Sequence, residues 1–93
     1  MGRVLDDEAD QRTRAIRTEA AMHGIVCYLR MHPNSADSLR GVRLWLHALA
    51  DEFSDDVVTL ALEKLMEQGE VEARHVLGGA VVYGRGRALR GEM

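Results

Sequence analysis

The stretch from residue 54 to residue 72, which reads SDDVVTLALEKLMEQGEVE, contains a helix start, a helix stop and the beginning of a strand. Ser54 is a favourable N-cap residue, and the acids Asp55 and Asp56 that follow it suit the positive end of a helix dipole. The apolar residues then recur at helical spacing: Val58, Ala61, Leu62, Leu65 and Met66. Gly69 is a natural terminator, because helices often end at a residue with left-handed backbone geometry. After it the apolar period shortens to two, which predicts a strand.

Another helix is predicted near the start of the chain. From Ile16 onward apolar residues recur at steps of three and four, and Pro33 disfavours helical geometry at the residue before it. We therefore expect this helix to end near Met31 or His32. Residues 1–13 are expected to form an N-terminal arm or an extension of the helix.

A helix between these two is predicted to begin just after Pro33. Asn34 or Ser35 is expected to cap it, with Asp37 in its first turn. One apolar face is predicted from its spacing: Leu39, Val42, Leu46 and Leu49. Leu44 and Trp45 extend the apolar surface beyond that face, and Gly41 suggests close packing against a neighbour.

A hairpin is predicted after Gly69, with its turn at Gly78-Gly79. Both central positions of a type I′ turn need positive φ, which glycine adopts without strain. Residues 80–83 then form the returning strand. A two-residue turn there would place three pairs opposite one another: Arg74 with Tyr83, Glu72 with Arg85, and Glu70 with Arg87.

The order of three helices followed by a hairpin resembles the winged helix-turn-helix superfamily. The residues that carry the resemblance are 25–29 in the first helix, 57–72 at the junction of helix and strand, and 80–83 in the hairpin. It covers about residues 14–85 and leaves residues 86–93 as a Gly/Arg-rich tail. The resemblance implies an α+β domain in which a three-helix bundle precedes a two-stranded antiparallel wing. In that family the third helix usually enters the DNA major groove, although many members bind proteins instead.

Composition and length limit the class of protein. The chain has 93 residues, of which 46% are hydrophobic, and this suits one globular domain. It has no long apolar segment, so we expect neither membrane insertion nor a secretory leader. Cys27 is its single cysteine and forms no intrachain disulfide, which favours the cytoplasm.

The sequence predicts no catalytic residue, metal site or cofactor. His23 and Cys27 have the i, i+4 spacing of two metal ligands, but zinc needs three or four, and the other histidines show no paired spacing. No phosphate-binding loop occurs, because Gly78-Gly79 falls within the hairpin. We therefore expect a protein that is not an enzyme.

The charge pattern favours a protein partner. The net charge is −3, and residues 51–72 carry eight acids against Lys64 alone. The predicted contact residues are Leu60, Glu63 and Glu67 on the third helix, together with Leu44 and Trp45. They would form a non-catalytic module that docks onto a partner, one of basic charge by complementarity, within a larger assembly. The first helix also offers a face for homodimer formation around Ile16, Ala20 and His23.

The alternative is a DNA-binding regulator that uses a basic wing and tail. Its contact residues would be Thr59 and Lys64 on the third helix, with the arginines Arg74, Arg85, Arg87 and Arg90. Residues 84–87 read Gly-Arg-Gly-Arg, similar to the centre of an AT-hook, in which arginines enter a narrow minor groove. DNA phosphates repel carboxylates, so the acidic third helix disfavours major-groove docking.

Overall fold

A computed structural model describes the backbone of residues 2–46 and 53–91, and the side chains of this part from residue 11 onward. Its elements, in chain order, are the helix α1 (Gly2–Met31), the strand β1 (Ala36–Asp37), the helices α2 (Leu39–Trp45) and α3 (Asp55–Glu67), the strands β2 (Val71–His75) and β3 (Val81–Arg85), and the helix α4 (Arg87–Arg90). The described chain is thus α+β, and this confirms the predicted class. None of its described helices is long and apolar enough to cross a bilayer.

The hydrophobic core lies between α1 and α3, and α2 and the sheet close it. The side chains that are almost wholly buried come from all three helices: Ile25, Leu29, Val42, Val58, Leu62 and Leu65. Val71 of β2 is also buried, and Tyr83 of β3 packs against the core. The apolar faces that were predicted for α2 and α3 therefore point inward. Leu49, the last residue assigned to the α2 face, lies outside the described residues.

Helix α3 begins and ends where the sequence predicts. Ser54 caps it, since the Ser54 Oγ accepts a hydrogen bond from the Val57 N–H at 3.3 Å. Asp55 and Asp56 occupy the first turn. Gly69 has a φ of +78°. The helix end is closed by a hydrogen bond that the Glu70 N–H donates to the Leu65 carbonyl at 2.9 Å.

The predicted start of α2 is wrong, because a strand occupies the place of its first turn. Ala36 and Asp37 form β1, which pairs with Gly84 and Tyr83 of β3, so the helix begins only at Leu39. Its cap is Ser38, neither Asn34 nor Ser35: the Ser38 Oγ accepts from the Gly41 N–H at 3.4 Å. The Asp37 carboxylate accepts from the Ser38 N–H at 2.8 Å. A Cβ at Gly41 would collide with the Asp37 carboxylate, so a larger residue there would require that exposed side chain to move.

The sheet has three antiparallel strands in the order β1-β3-β2, one more than predicted, and its hairpin register differs from the prediction by one residue. Gly78 and Gly79 do adopt positive φ, at +92° and +82°. However, the Val76 N–H donates to the Ala80 carbonyl at 2.9 Å, so Leu77 enters a three-residue loop. The observed partners are therefore Arg74 with Val82, Glu72 with Gly84, and Val71 with Arg85. The three predicted charge and aromatic pairs are wrong, because a slip of one residue moves every side chain to the other face.

The chain after β3 forms a short helix that packs on the sheet. The Gly86 N–H donates to the Glu70 carbonyl at 2.8 Å, and the Ala88 N–H donates to the Gly69 carbonyl at 2.9 Å. A Cβ at Gly86 would collide with the Gly69 carbonyl oxygen, so this close approach needs glycine. Residues 87–90 of the predicted Gly/Arg-rich tail therefore form a helix that is held to the junction of α3 and β2.

Candidate functional site

The exposed side of α3 carries a narrow stripe of one leucine and three acids. Asp56, Glu63 and Glu67 are exposed, and Leu60 is half-buried. These four residues lie within an arc of about 60° around the helix, since each residue advances by about 100°. We call them the α3 stripe. It places an apolar side chain along one line with three carboxylates.

The other polar residues of α3 reduce this negative charge only partly. Thr59 and Lys64 are both exposed beside the stripe, as predicted, and Lys64 contributes one cation. Asp55, also exposed, forms an ion pair with Arg43 of α2, with 3.0 Å between Oδ1 and Nη1. The three carboxylates of the stripe therefore outnumber the single ammonium group of Lys64, and this surface of α3 carries a net negative charge.

The two predicted contact residues of α2 have opposite environments. Leu44 is 67% exposed, whereas Trp45 is only 7% exposed and belongs to the core. The indole stacks on the Tyr28 ring, with 4.6 Å between centroids and 8° between planes. Adjacent residues of a helix point about 100° apart, so only one of the two reaches the surface. The placement of Trp45 in a contact surface is therefore wrong, while Leu44 is available for contact.

Three of the four arginines proposed for DNA contact converge on one recess. Arg74, Arg85 and Arg90 line it together with residues 33–36, and its volume is about 150 Å³. Glu72 lies nearby, with its Oε2 at 3.4 Å from the Arg90 Nη1 and its Oε1 at 3.7 Å from the Arg74 Nε. We call this site the arginine recess. Arg87 is exposed and does not line this recess; it lines a second depression, which it shares with Arg90 and Glu72.

Sequence reasoning missed the contribution of residues 33–36 to the arginine recess. It assigned Asn34 and Ser35 to a helix cap, whereas they lead into β1 and border the arginines. A strand of two residues has too short a pattern to be detected by its apolar period. Only the pairing of β1 with β3 brings this loop to the arginines.

The face of α1 that was predicted to pair with a second copy is open to solvent. Ile16 is 64% exposed, and Ala20 and His23 are also exposed. Further along, the Cys27 Sγ lies 3.5 Å from the His23 Nε2 on the helix surface. Within the described ranges no third His, Cys, Asp or Glu joins such a pair to make a metal site. The side chains of Ile16, Ala20 and His23 are therefore accessible for contact.

No family model, curated protein or solved structure matches the chain. The resemblance to the winged helix-turn-helix superfamily therefore depends on the order of the elements and on the residues quoted for it.

Proposed function

We propose that this protein is a non-catalytic winged-helix module that docks onto a basic protein partner within a larger assembly. The winged-helix assignment is supported by the order α1, α2, α3 and hairpin, with β1 added to the edge of the hairpin at β3. We assign the module to the cytoplasm, where an exposed thiol such as that of Cys27 stays reduced.

The α3 stripe carries this proposal. Leu60 supplies apolar contact area, and the carboxylates of Asp56, Glu63 and Glu67 form a charged rim before and after it along the helix. A cationic partner surface would be attracted to this rim, and complementary charge raises the association rate and selects against anionic partners. The same carboxylates oppose insertion into a groove lined with phosphates. Leu44 adds exposed apolar area on α2.

Charge reversal on two different helices tests the proposal. Glu63→Lys changes the stripe, and Glu19→Lys makes the same change in charge at an exposed position of α1. The immobilised wild type and both variants are incubated with cell extract, and retained basic proteins are quantified by mass spectrometry. We expect a partner to be retained by the wild type and by Glu19→Lys, and to be retained about tenfold less by Glu63→Lys, which corresponds to about 1.4 kcal/mol.

The partner found in this way is then purified and titrated against the same variants and against Leu60→Asp. Circular dichroism establishes that each variant is folded. Equal affinity of the partner for Glu63→Lys and Glu19→Lys would show that docking does not use the α3 stripe. Retention of no basic protein by the wild type would equally contradict the proposal.

The second candidate function is DNA binding through the wing, and the convergence of Arg74, Arg85 and Arg90 favours it. Fluorescence anisotropy with a random duplex at about 50 and 200 mM salt tests this function, because each phosphate contact makes the affinity more sensitive to salt. A DNA-binding function requires measurable affinity that falls steeply between the two conditions. It also requires weaker binding by Arg74→Gln, since that change removes a cation from the wing.

A further inference from the structure

The exposed side of α1 carries two side chains that can bind a metal ion, on one line with two apolar ones. Ile16, Ala20, His23 and Cys27 follow one another at steps of four, three and four residues. Such steps place residues along the contact line between two packed helices. All four side chains are exposed. We call these residues the α1 seam.

The α1 seam lies on the side of the helix that faces away from the core. The buried side chains of α1 are Thr18, Ala21, Met22, Ile25 and Leu29. At about 100° per residue, the mean direction of this buried face is roughly 170° from that of the seam. A second molecule can therefore reach the seam from outside without displacing any core residue.

The distance between the His23 and Cys27 side chains fits a shared zinc ion. Zinc binds sulfur at about 2.3 Å and imidazole nitrogen at about 2.0–2.1 Å, and at the tetrahedral angle these bonds hold the two atoms about 3.5–3.6 Å apart. The Cys27 Sγ and the His23 Nε2 are 3.5 Å apart. One zinc ion can therefore bind both atoms with little movement of either side chain.

This pair supplies half of a structural zinc site, and a second copy of the chain supplies the other half. Structural zinc has four ligands, and no group of three metal-ligating side chains occurs in the described ranges. A two-fold axis beside the seam adds the same two side chains of a second copy, which gives two sulfur and two nitrogen ligands. Each thiol releases its proton to solvent as it binds the ion. The two thiolates then balance the double charge of zinc, so the completed centre is neutral and suits a contact that also buries Ile16 and Ala20.

We propose that His23 and Cys27 of two copies bind one zinc ion between their α1 helices. Thiolate and imidazole ligands favour zinc over magnesium and calcium, which bind oxygen ligands. The metal adds its bonds to the apolar contact of Ile16 and Ala20, so zinc binding and dimer formation strengthen each other. The site lies on α1 and is separate from the α3 stripe.

Titration of the full chain with zinc chloride tests the site, after the protein has been reduced and freed of metal. Calorimetry gives the number of zinc ions bound per chain, and sedimentation velocity with and without zinc gives the oligomeric state. We expect one zinc ion for every two chains. The dimer is expected to form at a protein concentration about tenfold or more lower when zinc is present, because the ion binds the dimer in preference to the monomer. A chelator should reverse this effect.

Two variants remove the ligands, and a third is their control. His23→Ala and Cys27→Ser each take two of the four ligands from a symmetric site, so we expect either change to weaken zinc binding about a hundredfold or more. His75→Ala removes an exposed histidine of β2 and is expected to bind zinc like the wild type. Circular dichroism establishes that each variant is folded. Glu63→Lys is also expected to bind zinc like the wild type, so failure of the docking function and failure of this site are distinguishable.

Three results would overturn the proposal. Binding of one zinc ion per chain without a change of oligomeric state would place a complete site within a single molecule. Equal loss of affinity in His23→Ala and His75→Ala would indicate scattered binding to surface histidines. The third result comes from cobalt(II), which replaces zinc in a titration of the wild type because its absorption reports sulfur coordination. Absence of a sulfur-to-cobalt absorption band would exclude Cys27 as a ligand, and this measurement holds even if a variant does not fold.

Discussion

Leu44 and Trp45 are adjacent in sequence and contribute to different properties of the protein. Trp45 fills the core against Tyr28, while Leu44 extends into solvent. We expect Trp45→Ala to lower the free energy of unfolding by about 3–5 kcal/mol, since it leaves a large cavity and removes an aromatic contact. Leu44→Ala is expected to change it by less than about 0.5 kcal/mol. Urea denaturation followed by circular dichroism measures both, and similar midpoints for the two variants would contradict the burial of Trp45.

Residues whose role depends on their immediate neighbours could be predicted from the sequence. Ser54 and Gly69 act on the nearest turn of α3, so their chemistry identifies the two ends of that helix. Glu63 and Leu60 are likewise placed on one stripe by helix geometry alone. The environment of Trp45 was not predictable in this way, because an apolar residue at the edge of a helical face can turn either inward or outward. Its position is decided by Tyr28, on another helix.

Elements that depend on distant partners account for most of the errors. β1 exists because Ala36 and Asp37 pair with β3, more than forty residues later, and this pairing moves the start of α2 to Leu39. The hairpin register depends on whether Leu77 pairs with Ala80 or belongs to the loop. Gly78 and Gly79 lie in the turn in either register, so these glycines do not distinguish the two. The arginine recess was missed for the same reason. Arg90 lines the arginine recess only because α4 packs on the sheet.

Cysteine pairs across the hairpin distinguish the observed register from the predicted one. In a Cys27→Ala background, His75→Cys with Val81→Cys replaces residues that are direct partners on one face. His75→Cys with Val82→Cys replaces the partners of the predicted register, whose side chains point to opposite faces of the sheet. We expect mild oxidation to close a disulfide in the first double variant only, because the bond requires Cβ atoms about 3.5–4.5 Å apart. Thiol titration and intact-mass measurement provide the readout, and preferential closure of the 75–82 pair would reject the observed register.

The longest dimension of the protein follows α1. The helix has 30 residues, which at about 1.5 Å each make roughly 45 Å, and the longest extent of the molecule is 49 Å. Residues 11–17 are all exposed, and Thr18 is the first buried side chain along the described part of this helix. The N-terminal part of α1 thus extends beyond the core. A helix segment without tertiary contacts is marginally stable in water, so packing against a partner would stabilise it.

We expect that partner to be a second copy of the chain, which would bury Ile16 and Ala20 of each protomer in a symmetric contact. Ile16 is a large apolar residue on this face and is 64% exposed. Ile16→Asp should therefore shift the protein toward monomer, because it places a charge in an apolar contact. Gln11→Asp adds the same charge about 140° away around the helix and should leave the dimer intact. Sedimentation velocity over a range of concentrations measures the effect. A wild type that stays monomeric throughout, or an equal shift in both variants, would exclude α1 as a dimer contact.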